Sequence, residues 1–496
     1  MTETVADTSV VTAQTVSKAV DADNDVLSVA QEKKTTSHKC SWITAASIFL
    51  CALLPSLCMW LFVFPGFLQP DHAATVAYLA TGTYDAWHSI FWALLAKPLL
   101  YDSPSYGWYG LAQLLLYAGA VTFSILRLRR IGVVKRVGMC VLLVVFSLSP
   151  CYVIYNVTYS SDIVFSTLLI PYTVLLAELA VTRLDCLRRP RFLVGLALLT
   201  FVLLELRKNA LLIPMFLCVA LVIMRRDLWK RILLGVLVPV VAFLGVNAIF
   251  DTAFNVRKSP SQELMSVPAS QIGRVYAEEL PMPEDVNEYF SSIRPASKWK
   301  EYYDINSTNA DYEKQGLNLN PEFVKNWLRL GMMYPKVYFD AYWNLMRYYF
   351  SMDSHPKVDG DFSQYSAFTV GPCDSSCKPE YVHQMTAPYT AHQQSILRRF
   401  HRMFDKPWMM QTVGRVFFNT SLPFWVLLVS FMILVIGGKG RRMLIVLIPL
   451  ACLFVAFICF SPVVSMRYVM EMYYMVPVVL SVVWYCLPLR KNTLRG

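Results

Sequence analysis

The stretch FLVGLALLTFVLLELRKNALLIPMFLCVALVIM, residues 192–224, contains two apolar runs that are separated by the cations Arg207 and Lys208. Each run approaches the roughly 20 apolar residues that are typical of a membrane helix. Most other basic clusters of the chain alternate with apolar runs as cytoplasmic loops do. That alternation places Arg207 and Lys208 at the outer tip of a helix hairpin. Cations held there against the usual bias indicate a bound anion, and a lipid phosphate is the anion expected at a membrane.

The composition predicts an all-α fold, a polytopic transmembrane helical bundle. Apolar residues make up 56% of the sequence and charged residues 16%. About ten runs approach the roughly 20 residues that a membrane helix needs, namely residues 41–65, 106–126, 137–154, 163–181, 192–206, 210–224, 232–250, 422–437, 443–460 and 469–489. We therefore expect about ten or more spans. Lys33 and Lys34 place the start of the first span inside, and an even number of spans then places both termini in the cytoplasm.

The formal net charge of +11 does not require a nucleic-acid partner. Most of the positive charge lies in short loops assigned to the inside, where anionic lipid headgroups attract Lys and Arg. We therefore expect a multi-pass protein of the plasma membrane. Its expected partners include membrane lipids and do not include nucleic acid.

Two polar segments divide the apolar runs and predict the domain organisation. We assign residues 1–40 to a disordered cytoplasmic tail and residues 41–250 to an N-terminal bundle whose first outer loop is 66–105. Residues 251–420 form an extracytoplasmic cap, and residues 421–496 form C-terminal transmembrane helices with a short cytoplasmic tail. Loops as long as the two outer ones are usually functional or disordered.

The cap is predicted to be folded and mostly helical. Phe323, Trp327 and Tyr334 recur at helical spacing in a segment rich in aromatic residues. These aromatic side chains either lie at the level of the lipid headgroups or line a sugar-binding groove. The sequence leaves both interpretations open.

Two further features of the cap are predicted from short patterns. Cys373 and Cys377 lie in the outer loop and either close a small disulfide or remain thiols. Residues 393–410 mix apolar side chains with arginines, which indicates a basic amphipathic helix on the outer leaflet.

The first outer loop contains the candidate catalytic acid. Asp71 follows a span in the segment Pro65-Gly66-Phe67-Leu68-Gln69-Pro70-Asp71, and Asp85 and His88 follow in Tyr84-Asp85-Ala86-Trp87-His88. A carboxylate at the end of a span is well placed to act as general base toward an acceptor hydroxyl. The alternative is that Asp71 caps the helix that follows it.

Other charged residues stand at the predicted outer ends of spans, far apart in the chain. They are Asp162, Arg207 with Lys208 and Asn209, Arg274 and Arg467. Each has a structural alternative: Asp162 caps a helix, and Glu205 pairs with Arg207 or Lys208. Gathered around one outer cavity, they are typical of a site for an acidic, lipid-linked substrate.

The order of these motifs resembles the GT-C class of integral membrane glycosyltransferases, and within it a group of poorly characterised bacterial membrane proteins. The resemblance rests on Pro-Gly-x4-Asp, Asp-x2-His, Ser-Asp-Ile, Arg-Lys-Asn, Gln-Ile-x-Arg and a late Arg-Tyr, and covers most of residues 43–490. It implies that Asp71 is the first-loop acid and that Asp162 matches a second acid. Relatives often carry Lys before that second acid, where this chain has Ser161.

The function that the resemblance implies is transfer of a sugar from a polyprenyl-phosphate donor to a cell-surface glycan or lipid acceptor, with inversion. Asp71 would be the base, and Arg207, Lys208 and Arg467 would neutralise the departing phosphate. No cofactor is indicated. A divalent metal has little support, because the first loop has no Asp-x-Asp pair. The alternatives are a lipid or solute transporter or flippase, and a non-catalytic membrane assembly factor.

Overall fold

The computed structural model describes residues 42–68, 70–84, 86, 88–256, 264–303, 316–352, single positions between 395 and 408, 410–436, 440–461 and 464–487. Several predictions of the sequence lie outside these residues, namely those on the tail 1–40, on Cys373 and Cys377, on Asp85, on most of 393–410 and on the side chain of Asp71.

The N-terminal half is helical apart from two very short strands. Its elements are α1 Trp42–Val63, β1 Phe67–Leu68, α2 Pro70–Thr81, α3 Ile90–Leu100, α4 Gly107–Arg130, α5 Arg136–Leu148, α6 Pro150–Asn156, β2 Thr158–Tyr159, α7 Ser161–Val181, α8 Pro190–Leu206, α9 Leu212–Met224, α10 Trp229–Ile232 and α11 Val238–Ala253. Short 3₁₀ or π turns join some of them, at Asp185–Arg188, Lys208–Leu211, Arg226–Leu228 and Leu233–Leu237.

The described part of the C-terminal half is helical. It consists of α12 Ser266–Ala277, α13 Glu284–Ile293, α14 Ala296–Tyr302, α15 Pro321–Met333, α16 Pro335–Met346, α17 Arg415–Phe417, α18 Leu422–Ile436, α19 Ile448–Phe460, α20 Met466–Tyr473 and α21 Val476–Cys486. Further 3₁₀ or π turns are Arg347–Tyr349, Met410–Gly414 and Arg441–Leu447.

Six helical segments of the described residues are long and apolar enough to cross a membrane, so the chain is an all-α membrane protein. They are Trp42–Val63, Gly107–Arg130, Ser161–Val181, Arg226–Ala253, Arg441–Phe460 and Met466–Cys486. The expectation of ten or more spans is not confirmed. The predicted span 137–154 bends by 53° between α5 and α6, where Pro150 starts a new helix, and counts as a seventh only if the bent pair is one span. The runs 192–206, 210–224 and 422–437 form helices of 17 residues or fewer.

Helix α7 is the central helix of the bundle. It is apolar all round, which predicts burial on every side, and from Ser161 to Ala180 every residue except Leu168 is buried. The Ser160 hydroxyl caps its first turn by accepting a hydrogen bond from the Ile163 amide. At the far end Glu178 accepts a hydrogen bond from Arg127 Nη2 at 3.0 Å. The two buried acids Asp162 and Glu178 are sixteen positions apart in the sequence, which is about 24 Å along the helix.

A two-stranded parallel pairing joins the segment after α1 to the segment before α7. Phe67 lies opposite Thr158, and Leu68 lies opposite Tyr159. Gly66 makes the turn before β1 with φ of +104°, and a Cβ atom there would lie 2.1 Å from the Tyr159 hydroxyl oxygen. Only glycine fits this turn, since other residues resist that φ and the space is already filled.

We therefore expect Gly66→Ala to lower the free energy of unfolding by roughly 2–5 kcal/mol, because strain at φ and overpacking add. Gly82→Ala is the control for strain alone: φ is +68° there, and nothing lies within 4 Å of the added Cβ. That variant should lose only about 1 kcal/mol. Thermal unfolding in detergent would compare the two, and equal stability of both variants would show that the Tyr159 contact does not constrain the turn.

The cap helices α12–α16 enclose a small hydrophobic core of their own, separate from the core of the bundle. Ile272, Phe290 and Trp299 are among its fully buried side chains. The cap is attached to the end of α19 by two tyrosines: the Tyr342 hydroxyl donates to the Ile458 carbonyl at 3.1 Å, and the Tyr349 and Ser461 hydroxyls are 3.1 Å apart. These contacts place the cap at the Asp162 end of the bundle, because Ser461 lies just before the helix α20 that packs on α7.

Candidate functional site

Four charged side chains meet at the start of α7: one from α7, two from α20 and one from the residue that ends α8. Arg207 Nη2 lies 2.8 Å from Asp162 Oδ1, and Arg207 Nε lies 2.7 Å from Glu471 Oε1. Arg467 Nε donates to Asp162 Oδ2 at 3.1 Å. Asp162 thus receives a guanidinium on each carboxylate oxygen. We call Asp162, Arg207, Arg467 and Glu471 the arginine–acid cluster.

The two arginines of the cluster also share an aromatic ring. The guanidinium carbons of Arg207 and Arg467 lie 5.9 and 5.4 Å from the centre of the Tyr468 ring, within the range of a cation–π contact. Two like charges are therefore held together by two acids and one aromatic face. The side chains of Arg207 and Arg467 are 15% and 22% exposed, whereas Asp162 and Glu471 are almost fully buried.

The Glu471 carboxylate has an unusual environment. Its residue is fully buried, yet within the described residues no hydrogen bond of acceptable geometry reaches either oxygen, and its contact with Arg207 is an ion pair only. Burying a carboxylate is costly unless it is paired and hydrogen-bonded. Buried polar groups are hydrogen-bonded in most native structures, so the Glu471 carboxylate stands out among the buried acids of this protein.

Glu205 does not explain Arg207, contrary to the alternative considered from sequence. The Asn247 side chain donates to Glu205 Oε2 at 3.3 Å, while Arg207 contacts Asp162 and Glu471. The two side chains differ in their partners because their backbones differ. Glu205 belongs to the last turn of α8, whereas Arg207 is the extended residue that ends this helix. Arg207 therefore turns toward α7 and α20 and away from Glu205.

Lys208 contacts the first loop and is placed apart from Arg207. Its ammonium donates to the Ala86 carbonyl at 2.6 Å, and the Ser89 hydroxyl donates to the Glu205 carbonyl at 2.6 Å. Ser89 also caps α3 by accepting from the Trp92 amide. The C-terminal end of α8 and the turn after it are thus hydrogen-bonded, through Glu205 and Lys208, to the loop between α2 and α3.

We expect Lys208→Ala to loosen this loop. Loss of an exposed charged hydrogen bond is worth roughly 1 kcal/mol, which is about fivefold in the opening equilibrium. Hydrogen exchange of the amides at residues 88–93 should be faster by about that factor. Lys230→Ala removes a lysine next to Trp229, far along the chain from this loop, and should leave the same amides unchanged. Unchanged exchange in Lys208→Ala would show that the Ala86 contact does not hold the loop.

A parallel strand pairing joins the segment that leads to Asp71 to the segment that leads to Asp162. Leu68, three residues before Asp71, pairs with Tyr159, three residues before Asp162. Asp71 is the second residue of α2, so it lies inside the first turn of this helix and not at the N-cap position that the capping alternative requires. His88 is half-buried, with its ring 5.5 Å from that of Tyr78. Asn209 lies in the 3₁₀ turn after Arg207, and its buried Oδ1 accepts no hydrogen bond from the described residues.

Arg274 does not join the cluster. It lies on α12 in the cap, where Nε donates to Glu278 at 2.7 Å and Nη2 lies 3.7 Å from Asp340. Within the described residues, no three His, Cys, Asp or Glu side chains lie close enough together to hold a metal ion. The candidate site is thus an arginine and carboxylate site.

Glu471 is the site residue that sequence reasoning missed. It lies inside the last predicted span, and a single acid within a long apolar run does not change the prediction of a membrane helix. Two signals were available: an ionisable residue within a span is a functional hypothesis by default, and Arg467 and Glu471 are four residues apart, on one helix face.

Comparison with known proteins identifies a family. The profile described as a family of unknown function, DUF6020, matches residues 100–495, and the chain belongs to this family. The matched region contains the whole arginine–acid cluster and begins after the segment with Asp71, Asp85 and His88. No curated protein and no solved structure shows significant similarity to the chain.

Proposed function

We propose that this member of the DUF6020 family is a membrane glycosyltransferase of the GT-C type, which acts on the outer face of a bacterial plasma membrane. It transfers a sugar from a polyprenyl-phosphate donor to a glycan or lipid acceptor with inversion. Both termini are cytoplasmic, and the shorter apolar helices α8, α9 and α18 complete the bundle as partial spans or as spans of a locally thinned bilayer.

The observation that carries this proposal is the convergence of Arg207 and Arg467 on Asp162, which follows the strand β2 that pairs with the strand leading to Asp71. Two guanidinium groups from separate helices suit a phosphate, which they can grip through paired N–H donors. Arg467 is the more exposed of the two and is the first contact for a donor phosphate. Arg207 is ion-paired with two acids and adds a second positive charge near Arg467.

The proposed reaction is a single displacement. The acceptor hydroxyl oxygen attacks the anomeric carbon, and its proton passes to the Asp71 carboxylate. A new glycosidic C–O bond forms as the bond between the anomeric carbon and the phosphate oxygen breaks. The electron pair of that bond leaves with polyprenyl phosphate, whose charge is stabilised by Arg467 and Arg207. Inversion at the anomeric carbon follows from one displacement.

A transporter or flippase is the second candidate, favoured by one observation. The bend of 53° between α5 and α6 and the π turn Leu233–Leu237 interrupt two apolar segments, and interrupted helices are typical of transporters. Vesicles containing the protein and a donor labelled in the sugar would distinguish the two. A transferase moves the label onto an added acceptor, whereas a flippase moves the intact donor to the inner leaflet. Movement of intact donor without any cleavage would reject the transferase.

A further inference from the structure

The cap carries an exposed aromatic surface that the proposed reaction does not use. Phe339 and Trp343 are 61% and 42% exposed on α16, and Lys336 is exposed one turn before them on the same stripe of the helix. The Phe339 and Trp343 rings stack with centroids 6.4 Å apart and planes within 10°. We call Lys336, Phe339 and Trp343 the cap stripe.

A chain of aromatic contacts joins the cap stripe to helix α19 of the bundle. Trp343 stacks on Phe350 at 5.6 Å, and the Phe350 ring packs edge-on against Phe454 of α19 at 5.7 Å. Phe454 lies six residues before the end of α19, which is about 9 Å along the helix. Tyr342, next to Trp343, donates to the Ile458 carbonyl in the last turn of α19. The aromatic rings therefore lead from the cap to a level inside a membrane-spanning helix.

Helix α19 also carries exposed apolar side chains. Val455 and Phe460 are 48% and 52% exposed, as side chains facing lipid would be. A cap surface that lies next to this outer end of α19 meets the boundary between acyl chains and headgroups. Aromatic side chains with a neighbouring lysine are the residues that membrane proteins place at this boundary.

The geometry points to the cap stripe as a lipid-contacting surface: we infer that α16 lies in the outer-leaflet interface, with Phe339 and Trp343 among the upper acyl chains and Lys336 at the phosphate level. Sugar binding is less well supported, because stacking on a sugar needs an open ring face. The Trp343 ring already stacks with Phe339 and with Phe350, which leaves less of its face for a sugar. Of the two interpretations of the cap aromatics that the sequence left open, the inference favours the level of the lipid headgroups.

Photo-crosslinking to lipid tests this inference on the full chain in vesicles of phosphatidylethanolamine and phosphatidylglycerol. Phe339→p-benzoylphenylalanine and Trp343→p-benzoylphenylalanine are expected to give phospholipid adducts by mass spectrometry. Ser292→p-benzoylphenylalanine, at an exposed polar position on α13, is the matched control and should give none. Adducts to a second copy of the chain, or no lipid adduct at 339 and 343, would overturn the inference.

A conservative variant provides a second measurement that does not depend on the bulky probe. The fluorescence difference between the wild type and Trp343→Phe isolates the emission of Trp343. Lipids brominated near the headgroup should quench this difference more strongly than lipids brominated near the chain end. A Trp343 component that no brominated lipid quenches would contradict the inference. Neither measurement involves sugar transfer, so each stands or fails independently of the proposed function.

Discussion

Asp71→Asn is expected to reduce sugar transfer by roughly a thousandfold, within the range that general-base catalysis contributes. The amide keeps the size of the carboxylate but cannot accept the acceptor proton. Donor binding should be unchanged, because the arginines that we assign to the phosphate are intact. The measurement is single-turnover transfer of a labelled sugar from its polyprenyl-phosphate donor, in nanodiscs, together with donor affinity.

The matched control for this variant is Asp102→Asn. Asp102 is an exposed acid of the same predicted outer loop, just past α3, and its replacement should leave transfer within twofold of the wild type. Near-normal transfer by Asp71→Asn would remove Asp71 from the mechanism and direct attention to Asp162 and Asp85. A loss of donor binding in that variant would instead make Asp71 a substrate-binding residue.

Arg207→Gln is expected to destabilise the protein by roughly 3 kcal/mol, because it leaves the buried Asp162 and Glu471 carboxylates with fewer positive partners. Adding Glu471→Gln removes the acid left without its guanidinium and should recover most of that stability. Donor binding should stay weak in the double variant, since the second change restores no positive charge. Thermal unfolding and donor affinity of the two singles and the double separate the two effects.

The control for this cycle is the pair Arg207→Gln with Glu205→Gln. Glu205 accepts from Asn247 and does not contact Arg207, so this double variant should remain as unstable as Arg207→Gln alone. Recovery of donor binding with Glu471→Gln would reduce Arg207 to a structural ion pair. Recovery of stability with Glu205→Gln would contradict the arrangement of the arginine–acid cluster.

The fold was predictable from sequence in kind but not in number of spans. Long apolar runs with basic flanks predicted a helical membrane bundle, and Asp162, Arg207 and Arg467 were expected together because each stands at an end of an apolar run. The span count depended on run length, which does not register a break such as that before Pro150. It also does not register how far a helix of 17 residues, such as α8, extends across a bilayer.

Parts of the candidate site were not predictable, for physical reasons. The Lys208 contact is with a backbone carbonyl, which any residue offers, so no sequence pattern marks it. Glu471 was hidden within a span, and its pairing with Arg207 joins positions 264 residues apart. Topology assigned Arg274 to the same face as the cluster, but it could not show that Glu278 and Asp340 engage this side chain within the cap.

The central claim is that the arginine–acid cluster binds the phosphate of a polyprenyl-phosphate donor. The most direct measurement compares the affinity of the purified protein in nanodiscs for polyprenyl monophosphate and for the matching polyprenol, in the wild type and in Arg467→Gln. A charge-assisted phosphate contact is worth about 1.5–3 kcal/mol, or roughly ten- to a hundredfold in affinity. We predict that the wild type prefers the phosphate by at least that factor, that Arg467→Gln loses this preference, and that Arg274→Gln keeps it. Equal affinity of the wild type for the two lipids, or an unchanged preference in Arg467→Gln, would contradict the account.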